Sequence, residues 1–199
     1  MTNDFELLKR CHAHGDAHLA SSTPAPKPLK GLVVVFTGNG KGKTSAAFHM
    51  AQRAIAANLQ VGIVQFCGGS PESCEYKLLG ENPMCDFKFF GSDCTWTRVD
   101  RVSDLATANY AWLEALKMMG DPSYDMVVLD EIHLLLKHNY LRLDEVMRAL
   151  HKRPASMHVV TTGRHAPLQL IDFADVATEM REVKHHSKQT WPAQAGIEF

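Results

Sequence analysis

Lys43 and Thr44 end a glycine-rich run, GNGKGKT, that follows directly on the apolar β-branched stretch Leu32 to Phe36. A helix-forming segment, SAAFHMAQRAIAAN, comes next. Strand, glycine loop and helix in this order are what a phosphate-binding loop requires. Backbone N–H groups converge on the anion, and the helix N-terminus adds a favourable dipole. In such a loop the lysine neutralises phosphate charge and the threonine hydroxyl helps to hold Mg²⁺. One departure stands out. The usual G-x-x-x-x-G-K-[ST] spacing calls for glycine at position 37, where this chain has Thr37, with Gly38 and Gly40 further in.

Asp125 to Glu131 reads DMVVLDE, an apolar strand ending in two carboxylates. Asp130 or Glu131 in that place supplies oxygen to a nucleotide-bound Mg²⁺, a hard cation that takes one or two carboxylates and keeps several waters. Spacing leaves open which of the two touches metal. A third apolar strand leads into TTGRHAP, where Gly163 permits a sharp turn and Arg164 can pair with phosphate through its planar fork. Arg53 lies on the helix after the phosphate loop. Trp96 sits in the glycine-led segment GSDCTWTR, as core packing or as a binding-surface aromatic.

These residues need a scaffold. Strands are expected at 31–37, 61–66, 86–90, 125–130, 157–162 and 176–183. Helices are expected at 43–57, 73–81, 103–119, 143–151 and 167–173, the third with Ser103 as N-cap and Gly120 as its stop. Short buried-type strands alternating with helices predict an α/β fold of P-loop NTPase-like, RecA-like type: a mainly parallel, doubly wound sheet flanked by helices. Ligands in such sheets bind at the carboxyl ends of the strands, so the loops after Phe36, Phe66, Phe90, Leu129 and Thr162 should surround one pocket.

Residues 1–30 read as a flexible arm. Ser21 to Lys30 carries three prolines, which fits an extended linker, and residues 31–199 read as the functional domain. The net charge of −1 gives no global field toward nucleic acid, and the apolar runs are strand-length, far short of a membrane span. The first residues are acidic and lack an apolar core, unlike a secretory signal. Five cysteines without C-x-x-C spacing are expected to be free thiols in a reducing cytoplasm. Cys11, His12, His14 and His18 lack the paired spacing of a structural zinc site.

Taken together, TGNGKGKT, VGIVQF, the Gly91-x-x-x-Thr-Trp-Thr pattern, DMVVLDE, Arg153-Pro154, TTGR, LIDFADVATEM, VKH and the tail AQAGIEF resemble the ATP:corrinoid adenosyltransferases of the P-loop branch. The likeness runs in order from about residue 31 to Phe199. It implies that Co(I) of a corrinoid attacks the 5′ carbon of ATP, lying reversed along the loop, and releases inorganic triphosphate. It further implies Mg²⁺, a homodimer and an electron donor such as a flavoprotein reductase. Thr37, Gly38, Asn39, Gly40, Lys41, Gly42, Lys43, Thr44 and Ser45, with Arg53 and Arg164, are the nucleotide-binding residues so implied. Thr44, Glu131 and Asp130 are the metal positions. Gly91, Cys94, Trp96 and His185 face the corrinoid, and Lys43, Glu131 and Trp96 are the residues implied in catalysis. Three positions depart from the family pattern. Cys94 stands where the family has a lower-face Phe, Gly68 where it has Lys, and His185-His186-Ser187 replaces an H-P-F-like run.

Overall fold

The computed structural model describes residues 30–90, 101–184 and 196. Six strands form one sheet in the order β3-β2-β4-β5-β1-β6, and every pairing is parallel. In chain order they are β1 (Val33–Thr37), β2 (Val61–Gln65), β3 (Cys85–Phe89), β4 (Met126–Asp130), β5 (His158–Thr162) and β6 (Val176–Glu179). The helices are α1 (Lys43–Ala56), α2 (Cys74–Leu79), α3 (Arg101–Gly120), α4 (Ile132–Lys137), α5 (Leu143–Lys152) and α6 (Leu168–Phe173).

β-Branched runs become strands because both faces of a parallel sheet are covered and both must be apolar. Along β1, Val33 and Val35 join one core, while Val34 and Phe36 join the other. The first core packs the sheet against Trp112 and Ala115 of α3, Leu135 of α4, Leu150 of α5 and Leu170 of α6. The second packs it against Ala47, Phe48, Ala51 and Ala54 of α1 and Leu79 of α2. Alanines on α1 let that helix lie close to β4 and β5, which fixes its N-terminus beside the strand ends.

The expected fold class is the observed one. α4 was not anticipated: IHLLLK is apolar all along and too short to show a helical period. Ser103 is not a cap. The helix already runs at Arg101, where neither Arg101 nor Val102 breaks it, so Ser103 lies in the first turn. β6 ends at Glu179 rather than at 183, because Met180 turns over the glycine loop: its N–H donates to Thr37 O at 2.8 Å and its O accepts from Gly40 N–H at 2.6 Å.

The free-thiol reading holds for Cys74 and Cys85 and is corrected at Cys67. Cys67 is disulfide-bonded. Burial pushes the Cys85 thiol up to about 12, which leaves it unreactive. Among the described residues no helix is long and apolar enough to cross a membrane.

The edge of the sheet is tied down by Asp175, at the entry to β6. Its Oδ2 accepts from Val33 N–H at 2.9 Å, its own N–H donates to Val33 O at 2.9 Å, and it pairs with Lys30. The Lys30 and Val33 hydrogen bonds hold its carboxyl below the ordinary value of 3.8. A lowered folded value means stabilisation that is complete above the unfolded value and lost as pH falls through the folded one. Asp175→Ala should therefore cost about 1 kcal/mol at neutral pH, after allowance for solvent screening. Thermal melts at pH 7 and near pH 3 check this, since the gap between variant and parent must shrink in acid.

Candidate functional site

β1 delivers the chain to Thr37, and the glycine run then folds back over the strand ends. Thr37 remains the last residue of the strand, and its Oγ1 accepts from Ala166 N–H at 3.1 Å. The left-handed turn falls one residue later, at Gly38, with φ 97°. A Cβ on Gly38 would lie 2.4 Å from Met180 O, so only glycine fits. The unusual spacing of the motif thus has a cause. The loop turns at 38, and position 37 is spent on a side-chain link to the β5–α6 turn.

Gly42, also left-handed, is the N-cap of α1 and gives it no side-chain cap. The first N–H groups of α1 are therefore not closed off by a cap side chain, as an anion site at a helix N-terminus requires. Lys43 is 7% exposed and donates from Nζ to Gly40 O at 2.7 Å. Burial lowers its pKa, and Glu131 and Asp130 oppose that shift.

Opposite the loop, Asp130 is completely buried at the end of β4. Its Oδ1 accepts from Thr162 Oγ1 at 2.7 Å and its Oδ2 from Gln65 Nε2 at 3.1 Å, and the Thr44 hydroxyl also bonds to it. Burial pushes its pKa up to about 6 against the pull of these hydrogen bonds. Glu131 follows in a left-handed conformation, φ 62°, with its N–H donated to Thr162 Oγ1 at 2.9 Å. Burial raises its pKa too, opposed by Lys43 and Arg164.

These groups surround a cavity of about 510 Å³. Asn39, Gly40, Lys41, Gly42, Lys43, Thr44 and Ser45 line it together with Asp130, Glu131 and Arg164. Gln65, Cys67, Gly68, Ser70, Glu72, Ser73 and Glu75 complete its lining. Four of the five expected loops thus meet at one cavity; the loop after Phe90 lies outside the described residues, as do Gly91, Cys94, Trp96 and His185. Thr37 and Gly38 line a neighbouring cavity of about 430 Å³, which shares Asn39. Arg53 is not brought in. It is exposed on α1, ten residues beyond Lys43 and roughly 15 Å further along the helix axis, and does not line the main cavity.

Sequence reading missed Gln65, Thr162 and His133. The signal available was a polar residue at the end of an apolar strand, or inside an apolar helix. His133 is fully buried. Its Nδ1 lies 3.0 Å from Gly163 O and its Nε2 2.9 Å from Thr161 Oγ1.

The donor set fits Mg²⁺. A hydroxyl already turned to a buried carboxylate, with a second carboxylate adjacent, offers hard oxygens and leaves room for water and phosphate. Among the described residues no cluster of three or more His, Cys, Asp or Glu forms a metal cage. A phosphate-assisted Mg²⁺ site does not need one.

The fold and site define a nucleotide-binding P-loop α/β protein. Its family follows from comparison with known proteins: residues 29–199 match the ATP:corrinoid adenosyltransferase family BtuR/CobO/CobP. The chain is 43% identical over 195 residues to the corrinoid adenosyltransferase of Pseudomonas aeruginosa, covering 98% of this chain and 94% of that protein. It is 40% identical over 170 residues to corrinoid adenosyltransferase CobA of Salmonella typhimurium and to the corrinoid adenosyltransferase of Escherichia coli K12. Each of these matches covers 85% of this chain and 86% of the relative. The chain belongs to the ATP:corrinoid adenosyltransferase family.

Thr162→Val tests the site without touching a proposed ligand. It removes the donor to Asp130 and the acceptor of Glu131 N–H together, leaving both buried groups short of a partner. The expected cost is about 1–3 kcal/mol of stability. The KM for Mg-ATP should also rise, read by steady-state kinetics beside a thermal melt; an unchanged KM would detach this network from nucleotide binding.

Proposed function

We propose that this member of the family transfers the 5′-deoxyadenosyl group of ATP to Co(I) of a corrinoid such as cob(I)alamin. The Co(I) lone pair forms the Co–C bond, the C5′–O bond breaks, and its electron pair leaves with inorganic triphosphate. No proton moves, so no general base is needed. The observation that carries this reading is the cavity itself. Loop amides, buried Lys43 and Arg164 line the same cavity as the Thr44, Asp130 and Glu131 oxygens, and uncharged and acidic groups complete the lining. Such a site neutralises a polyphosphate, and triphosphate leaves readily only when its charge is neutralised.

Lys43 exchanges Gly40 O for a phosphate oxygen, and Arg164 pairs with the same chain of phosphates. Thr44, Asp130 and Glu131 would hold Mg²⁺, which when bound adds positive charge against the leaving triphosphate. Trp96, Cys94, Gly91 and His185 form the corrinoid face in this reading, which rests on the family and on no described geometry. A one-electron donor such as a flavoprotein reductase supplies Co(I). Residues 1–30 act as an arm reaching a neighbouring active site in a homodimer, and residues 31–199 carry the reaction. A cytoplasmic location suits an enzyme that consumes ATP. A binding relative without turnover, or an ordinary P-loop ATPase, is not favoured, since the relatives are named as adenosyltransferases.

Anaerobic incubation with Mg-ATP and chemically reduced cob(I)alamin should yield a light-sensitive alkylcorrinoid and triphosphate. ADP and phosphate as sole products would overturn the reading. Lys43→Ala should lower the rate by a factor on the order of 10² or more. Cys94→Phe should raise adenosylation of intact cobalamin under weak reduction, because a larger side chain better excludes a lower axial ligand; an unchanged or lower rate counts against that role for position 94.

A further inference from the structure

We propose that His133 is a positioning residue for Arg164, acting through the peptide that joins Gly163 to Arg164. The inference rests on Arg164 reaching the phosphates of bound nucleotide, as proposed above.

A carbonyl oxygen only accepts, so the 3.0 Å contact between Nδ1 of His133 and Gly163 O requires Nδ1 to carry the proton. Nε2 is then the acceptor for the Thr161 hydroxyl at 2.9 Å. Both ring nitrogens are used, and the ring is fully buried, so its orientation is set from two sides. The bond to Gly163 O fixes more than one atom. The peptide from Gly163 to Arg164 is planar and trans, so holding its oxygen holds the plane in which the Arg164 nitrogen lies. The direction in which Arg164 leaves the turn follows from that plane.

Gly163 has φ 135°, and a Cβ there would lie 2.8 Å from the Cβ of His133, so the backbone is pressed directly onto the α4 side chain. Its N–H donates to Phe36 O at 3.2 Å. Gly163 is thereby held by β1 through its N–H and by α4 through its carbonyl, and it is the carbonyl bond that fixes the peptide before Arg164. Arg164 itself is exposed along the cavity, and a long side chain on a loose turn would lose much of its phosphate geometry. His133 also stands two residues after Glu131, so one short helix sets both a carboxylate and, through the turn, the facing cation.

The test separates the two ring nitrogens. An Asn amide places its nitrogen near the position of Nδ1, and a Gln amide places its nitrogen near that of Nε2. His133→Asn keeps the donor to Gly163 O, whereas His133→Gln loses it. Both variants disturb packing, so both lower the melting temperature. The probe is inorganic triphosphate, with its dissociation constant measured by calorimetry on the full chain. His133→Gln should weaken binding about tenfold, and His133→Asn by no more than about threefold, the scale of one mis-set charge-assisted hydrogen bond. In an Arg164→Ala background neither substitution should add to the loss already present. Equal weakening by Asn and Gln, or the same loss with and without Arg164, overturns the inference. If Arg164→Ala alone leaves triphosphate binding unchanged, the placement of Arg164 fails and the inference with it. His133→Leu gives the same comparison should the Gln variant not fold.

Discussion

A carboxylate with no exposure to water governs the arrangement of this site. Asp130 would be costly to bury without partners, and the fold supplies three from three different elements: Gln65 from β2, Thr162 from β5 and Thr44 from α1. Those elements flank β4, so satisfying one side chain sets the relative height of three strand ends and a helix N-terminus. The sheet order makes this possible, because β4 lies between β2 and β5. Thr162 has the further task of receiving Glu131 N–H. That bond steadies a residue held at positive φ, a conformation that a glutamate adopts only when its surroundings impose it.

The cavity is lined by charges of both signs rather than by a field of one sign. The chain as a whole carries −1, so attraction for a polyphosphate must be local. In the proposed reading Lys41, Lys43 and Arg164 supply it, and Asp130 and Glu131 stand close enough to alter the titration of Lys43. The Lys43 ammonium is partnered by a loop carbonyl and lies within the influence of two acids. In the proposed reading a phosphate would meet a charge already desolvated, which is how preorganised sites avoid reorganisation during reaction.

The parts of the molecule that were legible in sequence are those whose signal is local. Strand-to-loop-to-helix at Val33–Ala56, the apolar strand ending in Asp130-Glu131, and the glycine before Arg164 each sit within a few consecutive residues. What was not legible depends on elements far apart in the chain. Gln65 meets Asp130 across 65 residues, and His133 meets Gly163 across 30, and nothing in either segment names its partner. Arg53 failed to join the cavity for a geometric reason, since a helix carries each turn further from its N-terminus. Cys67 was read from composition, which says nothing about which thiols a fold brings together.

Thr37 shows how a motif departure can be a structural choice. A phosphate loop needs one left-handed residue where the strand ends and the chain reverses. Its usual glycine spacing records where that residue falls. Here the β6 chain passes over the loop at Met180, and its carbonyl blocks any Cβ at position 38. The reversal is therefore moved to Gly38, and Thr37 stays in the strand. The freed side chain bonds Ala166, three residues past Gly163 in the turn that His133 holds from the other side. The phosphate loop and the Arg164 turn are thus joined directly, and the altered spacing is the covalent side of that joint.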